Sequence, residues 1–273
     1  MRAMVLDRPG EPLRAAELPE PVPGPGQVKL AVRACGVCRT DLHIYDAELQ
    51  GEPQLPLVMG HQIVGEVVGA GDFCFPIPAL YSDAEAAPLL CAGLIGYRAL
   101  RLVGDAERIG FYGFGSSAHI LCQVAVHEGR RVFAFTRDGD ATGQAFARGL
   151  GAEWAGGSSE PPPEDLDGAI VFAAVGPLMV QALKASARGA RVISAGIHMS
   201  EIPAFSYDLL WEERTLGSVA NLTRADGEDL LRIAPEVPVR AAVTTYPLED
   251  AQRALEDARA GKIEGSAVLV VGP

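Results

Sequence analysis

Cationic residues are scarce in this chain of 273 residues: Lys and Arg total 23 against 35 Asp and Glu, which leaves a formal net charge of −12 and a pI near 4.9. A surface with that balance repels a phosphate backbone, so nucleic acid is excluded as an expected partner. An uninterrupted apolar run long enough to span a bilayer is also missing. The longest, "GAIVFAAVGPLMVQAL", is broken by Gly176 and Pro177 and reads as a buried strand leading into a helix. The opening residues show no cationic segment followed by an apolar stretch, so neither an export signal nor a membrane partner is expected. Cysteines are few and odd in number, five in all. Without an export signal they point to reduced thiols in a cytoplasm. Aromatics are sparse at 6%, whereas Gly (31) and Pro (20) are plentiful and 48% of the chain is apolar. That mixture suits short strands and tight turns around a core sufficient for one or two domains.

Residues 1 to about 90 read as β-rich. "RAMVLD", "QVKLAVRACGV" and "IVGEVVGAG" have strand composition and are punctuated by "PVPGPG". A short helix is expected after Cys38. "SDAEAAPLLCAGLIGYRAL" then takes helical spacing with Ser82 as its cap. Beyond it, apolar strands ("RIGFYGF", "RVFAFT", "GAIVFAA", "RVISAGI", "TLGSVA") alternate with helices ("SSAHILCQVAVHEG", "DATGQAFARGLG", "PLMVQALKASARG"). This predicts an α/β fold with a doubly wound parallel sheet covered on both faces. "GGSSEPPPEDLDG" reads as a surface loop within that sheet's domain, and "RALEDARAGKIEGSAVLVV" as a helix, a turn and a last strand.

Gly113, Gly115, Ser116, Ser117 and Ala118 form a G-x-G-x-x-A pattern between an apolar strand and an amphipathic helix. In that setting the first glycine permits a tight turn and the second lets a pyrophosphate approach the backbone. The alanine lets helix and strand pack closely, and the helix N-terminus faces the phosphates. At the end of the next strand, where an acidic residue would favour NAD, stand Thr136 and Arg137. A hydroxyl and a guanidinium suit a 2′-phosphate, so the reading leans to NADP(H), although Asp138 and Asp140 follow closely.

The stretch "CGVCRTDLH" supports three readings. A thioredoxin-like redox pair, Cys35 and Cys38, lacks the surrounding fold. A four-cysteine structural zinc needs a second C-x-x-C, which the chain does not contain. A catalytic metal needs three ligands and one open position. One of the first cysteines, with His61 and Cys91, would supply them, and two thiolates balance the charge of Zn²⁺.

"GVCRTDLH", "LPLVMGHQIVGEVVGAG", "DAEAAPLLCAGLIGYRAL" and the dinucleotide motif, in this order, resemble the zinc-dependent medium-chain alcohol dehydrogenases over essentially the whole chain. The resemblance implies a GroES-like catalytic domain, 1–92 with 222–273, and a Rossmann domain, 93–221. It places one catalytic zinc on Cys38, His61 and Cys91, with no structural zinc and with Cys35 a packing residue. Thr40 matches the hydroxyl that takes the alcohol's proton, and His43 the relay beyond the cofactor ribose. Val175, Gly176, Gly196, Ile197 and Val219 would line the nicotinamide. The implied substrate is a small molecule, an alcohol or a carbonyl compound, which the shortened cleft wall opens to a bulky or unusual carbonyl, imine or alkene, and the implied assembly is a homodimer paired through "TLGSVA".

Two departures stand out. Gln62 occupies a position that is usually Glu in the family. More importantly, Gly71 runs directly into "DFCFPIPAL", so the strands and the structural-zinc lobe that normally intervene near 70–73 are absent. The loss should expose apolar edges, open the metal to water and require cover from a partner or from "DFCFPIPALY". It leaves two other outcomes on the table: a zinc-free NADPH-dependent reductase of an activated C=C or C=N bond, or a relic that binds nucleotide without turnover.

Overall fold

The computed structural model describes residues 1–24, 26–49, 54–67 and 74–272. In chain order the first elements are β1 (Arg2–Leu6), β2 (Arg14–Glu17), β3 (Leu30–Val37), α1 (Arg39–Tyr45), β4 (Leu57–Val58), β5 (Gln62–Val67) and α2 (Asp83–Ala86). A second set comprises α3 (Ala92–Val103), β6 (Arg108–Tyr112), α4 (Ser116–His127), β7 (Arg131–Thr136), α5 (Ala141–Gly149) and β8 (Trp154–Gly157), and continues with β9 (Leu166–Val171), α6 (Gly176–Lys184), β10 (Ser186–Ser194), β11 (Thr215–Ser218) and α7 (Arg224–Glu236). The chain closes with β12 (Val243–Pro247), α8 (Ala251–Arg259) and β13 (Ser266–Val270). These elements form two units, 1–91 with 241–273, and 92–240. Among the described residues no single helix is long and apolar enough to cross a membrane.

The first unit holds a three-stranded sheet, β2-β1-β4, and a four-stranded sheet, β12-β13-β3-β5. Ala34, Val64, Ala86, Ala87 and Val268 make a buried cluster under the second sheet, and Ile77 and Tyr81 pack against it. The segment that follows the shortening thus covers part of this core. Ile63 and Val67 on β5 remain 37% and 52% exposed, as expected where further barrel strands are absent. The junction at 70–73 lies outside the described residues.

The second unit is built on a six-stranded parallel sheet in the order β11-β10-β9-β6-β7-β8. Counted from β6, this is the 3-2-1-4-5-6 order of the dinucleotide-binding fold, reversing direction between β6 and β9. Its strands are nearly continuous apolar runs because helices cover both faces. Tyr112 stacks on Phe135 at 4.0 Å and Trp154 tilts onto Phe135 at 5.0 Å.

Three details depart from the sequence expectations. The helical stretch 82–100 is broken: α2 passes into a 3-10 turn, Ala87–Leu90, and Cys91 leaves helical geometry (φ −122, ψ −65) before α3 begins. Pro88 is the second residue of that turn, and lacking an N–H it cannot continue the α-helical ladder. The glycine-rich strand β8 carries too little apolar alternation to be read from sequence. The second boundary falls at 240/241 rather than 221/222, because α7 packs on α3 and the half-buried Arg98 guanidinium binds Asp226 at 3.0 Å.

Candidate active site

Cys38, His61 and Cys91 come from three separate places in the first unit: the end of β3, the residue before β5, and the break that precedes α3. Their ligand atoms all lie within 4.8 Å of one another. Cys38 Sγ stands 3.4 Å from His61 Nε2. Zinc bonds of about 2.3 Å to sulfur and about 2.0 Å to nitrogen, set at a tetrahedral angle, place those two atoms about 3.5 Å apart. The donor set therefore fits zinc in size as well as chemistry. Cys74 lies outside this cluster among the described residues.

Local folding explains the placement. Cys38 caps α1, and Asp41, three residues on, returns its Oδ2 to accept the Cys38 N–H at 2.8 Å. The carboxylate's other oxygen faces His61 Nδ1 at 3.4 Å. Asp41 is 3% exposed, so it fixes the ring from behind and leaves Nε2 toward the sulfurs. Metal-binding histidines routinely use such a second contact to set tautomer and basicity. An acidic residue three positions past Cys38 is placed to cap α1, but its contact with His61 carries no signal in the sequence.

The electrostatics follow from this packing. The Cys91 thiol and His61, together with the Thr40 hydroxyl, bond to Cys38 sulfur and hold its thiol well below the ordinary range. Its partner Cys91 is pushed up by donating to Cys38 and by burial. Asp41 and then Cys38 raise His61 to about 10. Burial lifts Cys35 to about 11, in keeping with a packing residue. Thr40 and His43 lie on α1, with His43 8% exposed. Gln62 is buried and its amide packs on Gly36.

In the second unit, the residues expected to hold a dinucleotide all stand at the carboxyl ends of parallel strands. Gly113 follows β6, Thr136 ends β7 and Arg137 follows it, Val175 and Gly176 follow β9, Gly196 and Ile197 follow β10, and Val219 follows β11. Open sheets of this kind bind ligands along that edge. Gly113 has φ +91, and a Cβ there would meet Ala173 at 2.9 Å. Space above Gly115 is open within 4 Å, as close passage of a pyrophosphate requires. Ser116 and Ser117 begin the 12-residue α4, and Ala118 is buried at its base. Val175 and Ile197 are 44% and 43% exposed, an apolar lining at the strand ends.

Thr136 and Arg137 separate in role. Thr136 is buried, and its hydroxyl is engaged by Gly156, the Arg137 carbonyl and Gln144. Arg137 is exposed. Neighbouring Asp138 is occupied, accepting from Ser159 Oγ at 2.7 Å and Ser159 N at 3.1 Å. A cavity of about 420 Å³ lined by Asp105, Glu107, Arg108, Arg131 and Asp167 lies at the opposite, amino ends of β6, β7 and β9, and its walls are ion pairs that tie the strands together.

Residues 24–76 match the alcohol dehydrogenase GroES-like domain family. A probable alcohol dehydrogenase, AdhA, from Mycobacterium tuberculosis is 35% identical over 340 aligned positions, covering 99% of this chain and 97% of that protein. An alcohol dehydrogenase of Geobacillus stearothermophilus is 29% identical, covering 99% of this chain and 100% of that protein. Among solved structures, a cobalt- and zinc-bound thermostable alcohol dehydrogenase from Pyrobaculum aerophilum superposes with a TM-score of 0.86 at 20% identity, covering 99% of each chain. Alignments of 340 positions against 273 residues leave the relative a segment that this chain lacks. With the parallel dinucleotide-type sheet and the Cys/His/Cys cluster, these likenesses establish that the chain belongs to the zinc-type medium-chain alcohol dehydrogenases, NAD(P)-dependent oxidoreductases, in a shortened form.

Proposed function

We propose that this chain transfers a hydride between a nicotinamide cofactor, preferentially NADP(H), and an alcohol or carbonyl compound, with one zinc held by Cys38, His61 and Cys91. The observation that carries the reading is the convergence of those three ligand atoms within 4.8 Å in front of the buried carboxylate of Asp41. When bound, zinc acidifies an alcohol hydroxyl or polarises a carbonyl, and the nicotinamide takes or gives the hydride.

The chain's own residues supply the rest. Thr40 takes the hydroxyl proton and His43 carries it onward. Gly113, Gly115, Ser116, Ser117 and Ala118 hold the pyrophosphate. Val175, Gly176, Gly196, Ile197 and Val219 orient the nicotinamide, which converts an encounter into a fixed approach. Arg137 pairs with the 2′-phosphate, and Thr136 supports the turn beneath it.

A homodimer paired through β11, which forms one edge of the parallel sheet, completes the reading. A cytoplasmic setting suits the unbridged cysteines. The test is elemental analysis joined to turnover with a panel of alcohols and both cofactors. One zinc per chain with turnover is expected, and Cys38→Ser or His61→Ala should lose both together. A Cys38→Ser protein that turns over fully without zinc overturns the assignment.

A further inference from the structure

The C-terminus of α1 is built unusually. After Tyr45 and Asp46 the chain turns through Ala47, a residue with φ +56, a conformation that L-residues rarely adopt. Ala47 N–H donates to the Ile44 carbonyl at 3.2 Å and Glu48 N–H to the His43 carbonyl at 2.9 Å. This pair of bonds is a Schellman motif, in which the second residue past the cap comes to lie against the third residue from the helix end. That contact is ordinarily apolar. Here it joins Glu48 Oε2 to His43 Nδ1 at 2.5 Å.

The two side chains occupy different surroundings, the imidazole side chain of His43 at 10% exposed and the side chain of Glu48 at 43%. Arg39, the first residue of α1, is exposed to solvent, and the carboxylates on α1 and on α8, which packs against it, have partners elsewhere. Asp41 serves Cys38 N and His61. Asp46 is held by both its oxygens on Arg259 at 2.7 Å, and Glu256 accepts from Gln252 at 3.0 Å. A left-handed alanine in a position that glycine would fill without strain, together with a carboxylate where a hydrophobic contact usually sits, has one chemical result: a histidine fixed by a carboxylate.

We propose that Glu48 is the positioning residue of His43, holding its Nδ1–H so that Nε2 is the atom that accepts the proton coming from Thr40. The inference rests on the dehydrogenase reading and adds to it the group that sets the relay's tautomer. A proton bonded at one ring nitrogen fixes the other as acceptor. As Nε2 gains its proton the ring becomes an imidazolium beside the Glu48 carboxylate. The carboxylate stays ionised, and the ring gives the proton up to solvent water.

Two measurements test this. In the ¹⁵N-histidine-labelled protein, His43 should show a protonated Nδ1 with a strongly downfield proton. That signal should vanish in Glu48→Gln, whose amide can donate to Nδ1 and reverse the tautomer, and it should persist in Asp46→Asn. In the zinc-loaded enzyme Glu48→Gln should lower kcat roughly 10- to 100-fold with the alcohol KM little changed. That loss is smaller than the 10²–10⁴ carried by a directly acting general base. Glu48→Asp should recover part of it, and added formate should rescue Glu48→Ala. An imidazole signal unchanged in Glu48→Gln overturns the proposal, as does a kcat within about twofold of the parent. A parent enzyme without any turnover refutes the dehydrogenase reading instead, and the imidazole signal still decides the pairing.

Discussion

Asp41 stands behind His61, its Oδ1 3.4 Å from the ring's Nδ1, while its Oδ2 accepts the Cys38 amide at 2.8 Å. One buried carboxylate thus positions two of the three proposed metal ligands. Asp41→Asn keeps the size but removes the charge. Competition against a chromophoric chelator should show zinc affinity falling roughly 10- to 100-fold, the usual loss when such an outer contact is removed. Unaltered affinity would mean that the carboxylate serves only to cap α1.

Zinc loading should be strongly pH-dependent. His61 keeps its proton up to about 10 because Asp41 and Cys38 favour the cation. Cys91 keeps its own because its S–H is shared with Cys38 and buried. Zinc binds neutral imidazole and thiolate, so below that pH both protons must leave. Apparent affinity should therefore rise with pH, by roughly 100-fold per unit if two protons depart together. Titrating zinc into weakly buffered apoprotein near neutrality should release about two protons per metal. Release of none would show that the free site is already deprotonated.

Much of this arrangement is legible in the sequence. The strand–glycine–helix passage at 108–127 marks the edge expected to hold a dinucleotide, because its signal is local: period, glycines and a helix start within one stretch. His61, Cys91 and one of the first cysteines are candidates by residue type alone, but the choice of Cys38 over Cys35 rests on the resemblance, since nothing in their spacing says that β3, β5 and the break at Cys91 converge. That break was hidden for a related reason: 82–100 has helical periodicity throughout, and the interruption comes from the proline-led 3-10 turn. Asp41 was readable as a capping residue but not as a partner of His61, twenty positions away. Glu48 carried no signal, because its contact with His43 depends on a left-handed alanine.

The core of the parallel sheet offers a test of packing independent of chemistry. Phe135 is 1% exposed, stacks on Tyr112 at 4.0 Å and meets Trp154 at 5.0 Å. Phe135→Ala should cost about 3–5 kcal/mol, from lost burial and the cavity left between rigid neighbours. Urea denaturation followed by tryptophan fluorescence would report it through Trp154. A loss below about 1 kcal/mol would mean that the surrounding rings collapse into the space.

Cofactor choice turns on which charge at the end of β7 is available. Arg137 is exposed, and among the described residues no salt-bridge partner is placed on it. Asp138, the residue that would repel a phosphate or bind a ribose hydroxyl, is engaged by Ser159 through two hydrogen bonds, which hold its carboxyl below the usual range. A guanidinium–phosphate contact is charge-assisted and contributes about 1.5–3 kcal/mol. Arg137→Ala should accordingly raise the KM for NADPH roughly 10- to 100-fold and leave that for NADH nearly unchanged. Ser159→Ala should act in the opposite sense on NADH, releasing the Asp138 Oδ2 that the Ser159 hydroxyl holds, so that it can accept from the ribose, while the backbone bond to Oδ1 remains. Steady-state kinetics with both cofactors on the two variants separates the contributions. If Arg137→Ala alters neither KM, the arginine is a solvated surface residue and the NADP(H) preference fails with it.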